Sequence, residues 1–221
     1  MSDLKVEFST SQAINFSSLF NGVGLINELY IENLSEQDIF NIDISVSCPQ
    51  GLIRSCHYHL DVLPKQLKID VNTLNIEFDY NFLLSLSNII QGEIIIKILS
   101  QGAEVYAQTN SITILPYDYW MGAELFPELI ASFVTPDNIE TKDVFKSALA
   151  YLKKWRKANS FLGYNGEADR VFSEAASVFC ALKDCSLKLH HIGDNRTIGQ
   201  AINLNNILKN KTATLTEAAL L

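Results

Sequence analysis

The sequence is poor in the residues that build covalent or metal frameworks. It has four cysteines and four histidines in 221 residues, and Cys48, Cys56, Cys180 and Cys185 stand at spacings that match no zinc or redox motif. Four cysteines in so long a chain do not make a disulfide scaffold, so the thiols are expected to be reduced and mostly buried, in a cytoplasmic protein. Long apolar runs are missing too. Stretches such as 94–96 and 112–115 fall far short of the roughly 18 residues a membrane span needs. The amino terminus, Met-Ser-Asp-Leu-Lys-Val-Glu-Phe, scatters charge where a secretion signal would carry an apolar core. Neither a membrane protein nor a secreted one is expected.

Positive charge is also scarce. Lys and Arg number 17 against 25 Asp and Glu, a formal net charge of −8. Reading a phosphate backbone needs clustered cations to displace counterions, and this balance argues against such a surface. The one dense cluster is Lys153, Lys154, Arg156 and Lys157 around Trp155. It reads as a solvated helix face with a half-buried Trp, and a single-stranded nucleic-acid patch is the alternative. No phosphate-cradling Gly-rich loop ending in Lys-Ser/Thr is present, because Asn21-Gly22-Val23-Gly24 lacks both the lysine and the spacing. ATP hydrolysis by this chain is excluded at the motif level. Gly22 and Gly24 are expected to turn the chain into its first strand.

What is present is globular composition, 48% hydrophobic and 19% charged, enough for one large domain or two small ones. From about Leu25 to Leu115 short apolar runs alternate with period two and are broken every ten residues or so by turn formers. Strands are expected over 25–32, 39–47 (with Ile42, Ile44 and Val46 on one face), 53–62 and 74–80. The clearest hairpin joins 92–99 to 105–115 across Gln101-Gly102. Residues 81–88 do not alternate and read as a helical or looped crossover, and the first twenty residues as an edge strand or a loose arm. The count of strands gives an immunoglobulin-like sandwich over residues 1–116, with the strand order open.

At Pro116-Tyr117-Asp118-Tyr119-Trp120 the period shifts to about 3.6, and 117–221 is expected to be a mainly helical domain. Pro127 fits the first turn of a helix through Val134, and Thr135-Pro136-Asp137-Asn138 stops it. A second helix from Thr141 carries the stripe Val144, Phe145, Ala148, Leu149, Leu152 and Trp155. Gly163 and Gly166 bracket a loop. Asp169 is expected to cap a third helix, with Val171, Ala175, Val178, Phe179 and Leu182 facing the core. A short strand at 188–189, a turn at Gly193-Asp194-Asn195 and a last helix from Thr214 complete the reading. That last helix runs to Leu221 with no capping signal, as in a chain cut inside an element.

Two groups of residues invite comparison with known sequences. Tyr117, Asp118 and Trp120 form a Tyr-Asp-x-Trp signature, followed by Pro127, Glu128, Leu129, Ile130, Ala131, Phe133, Val134 and Pro136. Further on stand Leu152-Lys153-Lys154-Trp155, Gly163-Tyr164, Arg170-Val171, Ala175-Ala176, Gly199-Gln200, Ile202 and Leu204. In this order they resemble the amino-terminal region of large bacterial superfamily 1 helicases that carry a domain of unknown function ahead of the motor. The resemblance covers about 111–221. It departs at Asp137, which precedes Asn138, and at Asn205, where the family has proline. It implies that the helical half is a partial transglutaminase-like domain, so that the fold class is α+β. In that family a cysteine opens the final helix, and here Thr214 stands in its place. A hydroxyl of ordinary pKa cannot replace a thiolate without a strong neighbouring base, so no thiol catalysis is expected.

Other candidates read as ordinary surface. His57 and His59 project to one strand face and with Cys48 or Asp61 would make only a partial metal site. His190 and His191 are a poorer pair, Asp184 with Cys185 and His190 an unconvincing nucleophile cluster, and Glu124 with Glu128 two solvated carboxylates. Tyr117, Asp118, Tyr119, Trp120 and Phe126 are read as a seam locking the two halves, with an interface hot spot as the alternative. No catalytic, cofactor or metal residue is assigned. The expected function is a non-enzymatic interaction or scaffold module, similar to the front of a helicase-type protein in phage defence or DNA processing. Its partner would be another protein or further domains of the same polypeptide. Two rivals remain: a fragment of a hydrolase or transglutaminase-like enzyme with its catalytic residues beyond Leu221, and a single-stranded nucleic-acid binder.

Overall fold

A computed structural model describes residues 4–71, 74–122, 125–134, 139–190, 200–202, 204 and 207–221. The chain is of mixed class, about 36% strand and 33% helix. It divides into two compact units, Met1–Met121 and Gly122–Leu221. Among the described residues no helix is long and apolar enough to cross a membrane.

The first unit is built from β1 (Leu4–Thr10), β2 (Ala13–Ile14), α1 (Phe16–Phe20), β3 (Ile26–Asn33), β4 (Ile39–Ser47), β5 (Cys56–Leu63), β6 (Lys68–Asp70), α2 (Tyr80–Ser85), β7 (Ile90–Ser100), β8 (Ala103–Ile114) and β9 (Tyr119–Trp120). Its larger sheet runs β2-β8-β7-β4-β5 and a three-stranded sheet runs β1-β3-β6. Alternation decides which side chains point inward. Ile42, Ile44 and Val46 of β4, Ile94, Ile96 and Ile98 of β7, and Ile112 and Ile114 of β8 are all buried, and Leu29 and Ile31 of the smaller sheet join them in one core. Each such side chain contributes about 1.5–3 kcal/mol through burial. A Cβ at Gly92 would sit 2.9 Å from Ile114 Cδ1, so a larger residue there would make that side chain shift.

The hairpin expected at Gln101-Gly102 is present, with β7 and β8 antiparallel and Ser100 opposite Ala103. Both turn residues have positive φ, 49° and 82°, the conformation whose twist matches that of the paired strands. The unit also closes on its own beginning. Strand β2 lies parallel to β8, with Ala13 opposite Thr113, and the Asn15 side chain donates to the Tyr119 carbonyl at 2.7 Å. Asn15 also caps α1, exchanging hydrogen bonds with Ser18.

Several expectations need correction. Residues 74–80 are no strand. Phe78 makes one isolated bridge to Ile53, and the chain then enters α2, whose first turn is capped by Asp79 accepting from the Phe82 amide at 2.9 Å. Leu74, Ile76 and Phe78 do pack on the core, so their alternation reports one-sided burial without a continuous ladder. The first residues are ordered strand, with Leu4 to Thr10 paired along β3. Short helices α1 and α2 fall within the pleated half, and short strands fall after residue 140, so the division into strands then helices is not clean.

The second unit contains a 3-10 helix (Pro127–Phe133), α3 (Ile139–Arg156), a 3-10 turn (Gly163–Asn165), α4 (Ala168–Asp184), β10 (Lys188–His190), β11 (Gln200–Ala201), α5 (Ile207–Asn210), β12 (Thr212–Thr214) and α6 (Leu215–Leu220). Strand β10 lies parallel to β12. The stop at 135–138, Glu124, His191 and the turn at 193–195 lie outside the described residues. The expected α3 stripe is buried at Val144, Ala148 and Leu152, whereas Phe145 and Trp155 are exposed. Ala148 meets Ala181 in the small cluster between α3 and α4, flanked by Phe161, Val178 and Leu182.

Helix α4 is rotated from expectation. Its buried residues are Ser173, Glu174, Ser177 and Ala181, while Ala175 and Phe179 face solvent. Nor does Asp169 cap it. Glu167 holds the cap position without a side-chain bond, and Asp169 lies in the first turn, where its charge still complements the helix dipole.

Candidate functional site

The polar interior of α4 explains its rotation. The Glu174 carboxylate accepts from the Leu162 and Gly163 amides, each at 2.9 Å, and from Arg170 Nε at 2.7 Å. Arg156 Nε donates to Ser173 Oγ at 3.0 Å, and the Ser173 and Ser177 hydroxyls donate back to the Asp169 and Glu174 carbonyls. Arg170, then the Leu162 and Gly163 amides, hold the Glu174 carboxyl below its ordinary value of 4.5 against the opposing effect of burial. A buried carboxylate with three donors is satisfied, and moving it to the surface would orphan two loop amides.

The consequence is an outer face that is apolar. At 100° per residue Phe172, Ala175, Ala176 and Phe179 fall opposite Glu174, Ser177 and Ala181. Phe172 is 75% exposed and Phe179 69%. This stripe leads into a groove of about 360 Å³ lined by Phe179, Leu182, Lys183, Leu187, Leu189 and Ala218. Single exposed apolar residues are ordinary, whereas this stripe is continuous with a concavity. Phe179 thus lies outside the core where periodicity places it, and Phe172 is a surface residue that the sequence reading does not single out. The signal was available, since Phe172 and Phe179 are seven apart with alanines between them.

The aromatic segment at 117–126 is heterogeneous. Trp120 is 5% exposed and its Nε1 has no hydrogen-bond partner among the described residues. Tyr117 is exposed, and Asp118, Tyr119 and Phe126 are half-buried. In the basic cluster Lys153, Lys154, Arg156 and Lys157 are all exposed. Trp155 is 44% exposed, with its ring 5.4 Å from that of Tyr151. Arg156 is engaged with Ser173, so three lysines surround the Trp.

The remaining candidates are not assembled into a reactive site. Asp184 accepts from the Tyr151 hydroxyl at 2.6 Å and Cys185 donates to the Ala181 carbonyl at 3.2 Å, which directs both away from a shared centre with His190. Burial pushes the Cys185 thiol up, the opposite of what a nucleophile needs. Thr214 is the N-cap of α6. Its hydroxyl accepts from the Glu217 amide at 3.1 Å, and its own amide donates to the Glu217 carboxylate at 2.9 Å. That capping box accounts for threonine at this position. His59 lies between two carboxylates, with Nδ1 2.6 Å from Asp43 and Nε2 3.3 Å from Asp61, and Asp43 raises its pKa above 6.5. Among the described residues no three His, Cys, Asp or Glu side chains are grouped to hold a metal ion. All four cysteines are free, and only Cys48 is fully buried.

No family model matches the chain, and no curated protein matches it. Among solved structures, the native conformation of E. coli alpha-2-macroglobulin, a cryo-EM reconstruction, is similar at a TM-score of 0.35 and 11% sequence identity, over 85% of this chain and 14% of that one. The chain thus spans a small fraction of that protein's length.

Proposed function

We propose that this protein is a non-enzymatic interaction and scaffold module of the bacterial cytoplasm, similar to the front end of a superfamily 1 helicase-type protein. The first unit is read as an immunoglobulin-like sandwich and the second as a degenerate transglutaminase-like start. The observation that carries the reading is the outward apolar face of α4, with its inner face given over to a satisfied polar network. A helix with phenylalanines outside and serines inside is arranged for a partner, because burying Phe172 and Phe179 against another protein would recover the apolar area that folding leaves exposed. Thr214 as a cap supports the absence of thiol chemistry, as does a Cys185 thiol that burial keeps protonated.

The test is affinity purification with the full chain as bait, competed by excess free chain, together with assays of the purified protein for ATP and amide hydrolysis. One enriched protein, lost on competition and accompanied by no hydrolysis, is expected. ATPase or protease activity that copurifies with the chain, or no competable partner, overturns the reading.

One observation favours a second reading. Trp155 is exposed beside Tyr151 and is flanked in the chain by Lys153, Lys154 and Lys157, all exposed, an arrangement suited to stacking a base of single-stranded nucleic acid. Binding of an oligothymidine that weakens steeply with salt is then expected. Absent or salt-independent binding removes this reading.

A further inference from the structure

The geometry points to the outer stripe of α4 and the groove at its end as a docking site for an amphipathic helix with an acidic flank. This rests on the interaction reading above and names the partner's chemistry. Three observations converge on it. The stripe from Phe172 through Ala175 and Ala176 to Phe179 and Lys183 spans eleven positions, about 16 Å along the axis, a length that two or three turns of a second helix would cover. Its relief is large-small-large, with two alanines between two phenylalanines, and a facing helix can seat side chains over the alanines while packing between the rings. At one end of the stripe lysines outnumber carboxylates.

At the groove end the cations gather. Lys183 lines the groove. Lys188 follows Leu187 and its amide donates to the Lys211 carbonyl at 2.9 Å. Lys211 is close enough to influence the Cys185 thiol electrostatically. Against these three lysines stand two carboxylates, Asp184, which accepts from the Tyr151 hydroxyl and also acts on the Cys185 thiol, and Glu217 in the Thr214 capping box, while Glu174 is turned to the inner face. In a chain of net charge −8 this end of the groove is locally basic, which suits a partner with Asp or Glu beside its apolar residues. At the far end of the stripe stands Asp169, so the acidic flank belongs at the Lys183 end alone and the docked helix has a defined direction. The recognition mode is an apolar helix face read through residues at i, i+3, i+4 and i+7.

The test uses the full chain and a labelled synthetic helical peptide of about 18 residues, with leucines at i, i+3, i+4 and i+7 and glutamates flanking one end, followed by fluorescence anisotropy. Two control peptides replace the glutamates by lysine or shuffle the leucines around the helix. The glutamate peptide should bind the native chain, and either control should bind about ten-fold more weakly. Phe179→Asp, whose side chain is exposed and whose fold is checked by circular dichroism, should lose binding. Lys183→Glu with Lys188→Glu should reverse the preference toward the lysine peptide. Equal binding of all three peptides, no binding to the native chain, or binding indifferent to Phe179→Asp overturns the inference. If a partner from the affinity purification stays bound to the Phe179→Asp chain, the docking site falls while the interaction reading stands. If no partner is found at all, the interaction reading itself has failed.

Discussion

The two units bury opposite kinds of interior. In the first, isoleucines from β4, β7 and β8 fill one continuous core with side chains from both sheets. In the second, α3 and α4 meet through Val144, Ala148 and Ala181, and the inner face of α4 also buries a carboxylate and two serines, with Arg170 donating to the carboxylate and the exposed Arg156 to Ser173. Apolar burial is non-directional and tolerates small displacement, whereas a buried polar network holds one geometry and fails when any member is lost. The first unit is therefore suited to be a platform. The second adds hydrogen-bonded polar groups to its apolar contacts and leaves Phe172 and Phe179 exposed.

That contrast can be broken most severely at the platform. Ile96→Ala, at a site with no exposed surface, should cost about 2–5 kcal/mol, read as a lower denaturant midpoint for the transition of the first unit. A loss under 1 kcal/mol would mean that this core is loosely packed. Next, Ala148→Leu should separate α3 from α4 and cost about 1–3 kcal/mol by overpacking, visible as reduced helical signal and earlier melting. Unchanged melting would show that the Ala148–Ala181 contact is not close.

The comparison sharpens with pH. Because the Glu174 carboxyl is held below 4.5, its contribution is complete above pH 4.5 and is lost as pH falls through the lowered folded value. Glu174→Gln should therefore destabilise the protein at neutral pH and flatten the acid limb of its melting curve below pH 4.5, followed by thermal melts at stepped pH. The exposed face should respond least. Phe172→Ser is expected to change stability by no more than about 0.5 kcal/mol, and a large loss would show that the ring is part of the fold. On the first unit's surface His59→Asn should remove a small stabilisation that is present below pH 6.5 and fades as pH rises through the raised value, measured as a shallower stability slope near neutral pH.

These contrasts also explain what could be read from the chain. The alternation of Ile42-Ile44-Val46 and the Gln101-Gly102 turn carry their structure locally, since period two with a two-residue turn admits little else. The α3 positions Val144, Ala148 and Leu152 were legible for the same reason at period 3.6. Residues 74–80 were not, because apolar alternation is equally consistent with one-sided packing of irregular chain. Helix α4 misled most. Two apolar stripes compete on it, and only the Leu162 and Gly163 amides, supplied by a loop that sequence periodicity does not position, decide that Glu174 goes inside. The outer stripe shares that difficulty, since periodicity alone puts Phe179 on the core side and the structure leaves it exposed.

The way the first unit closes on its beginning has a bearing on synthesis. Ala13 and Ile14 pair with Thr113 and Ile114, and the Asn15 side chain reaches Tyr119, so during translation the start of the unit must wait for about a hundred further residues before its sheet is complete. Contacts of such long sequence separation form slowly. A nascent chain halted anywhere before Tyr119 would hold the inner face of β8 or its neighbours unsealed, and that window is where a ribosome-associated chaperone would be most needed.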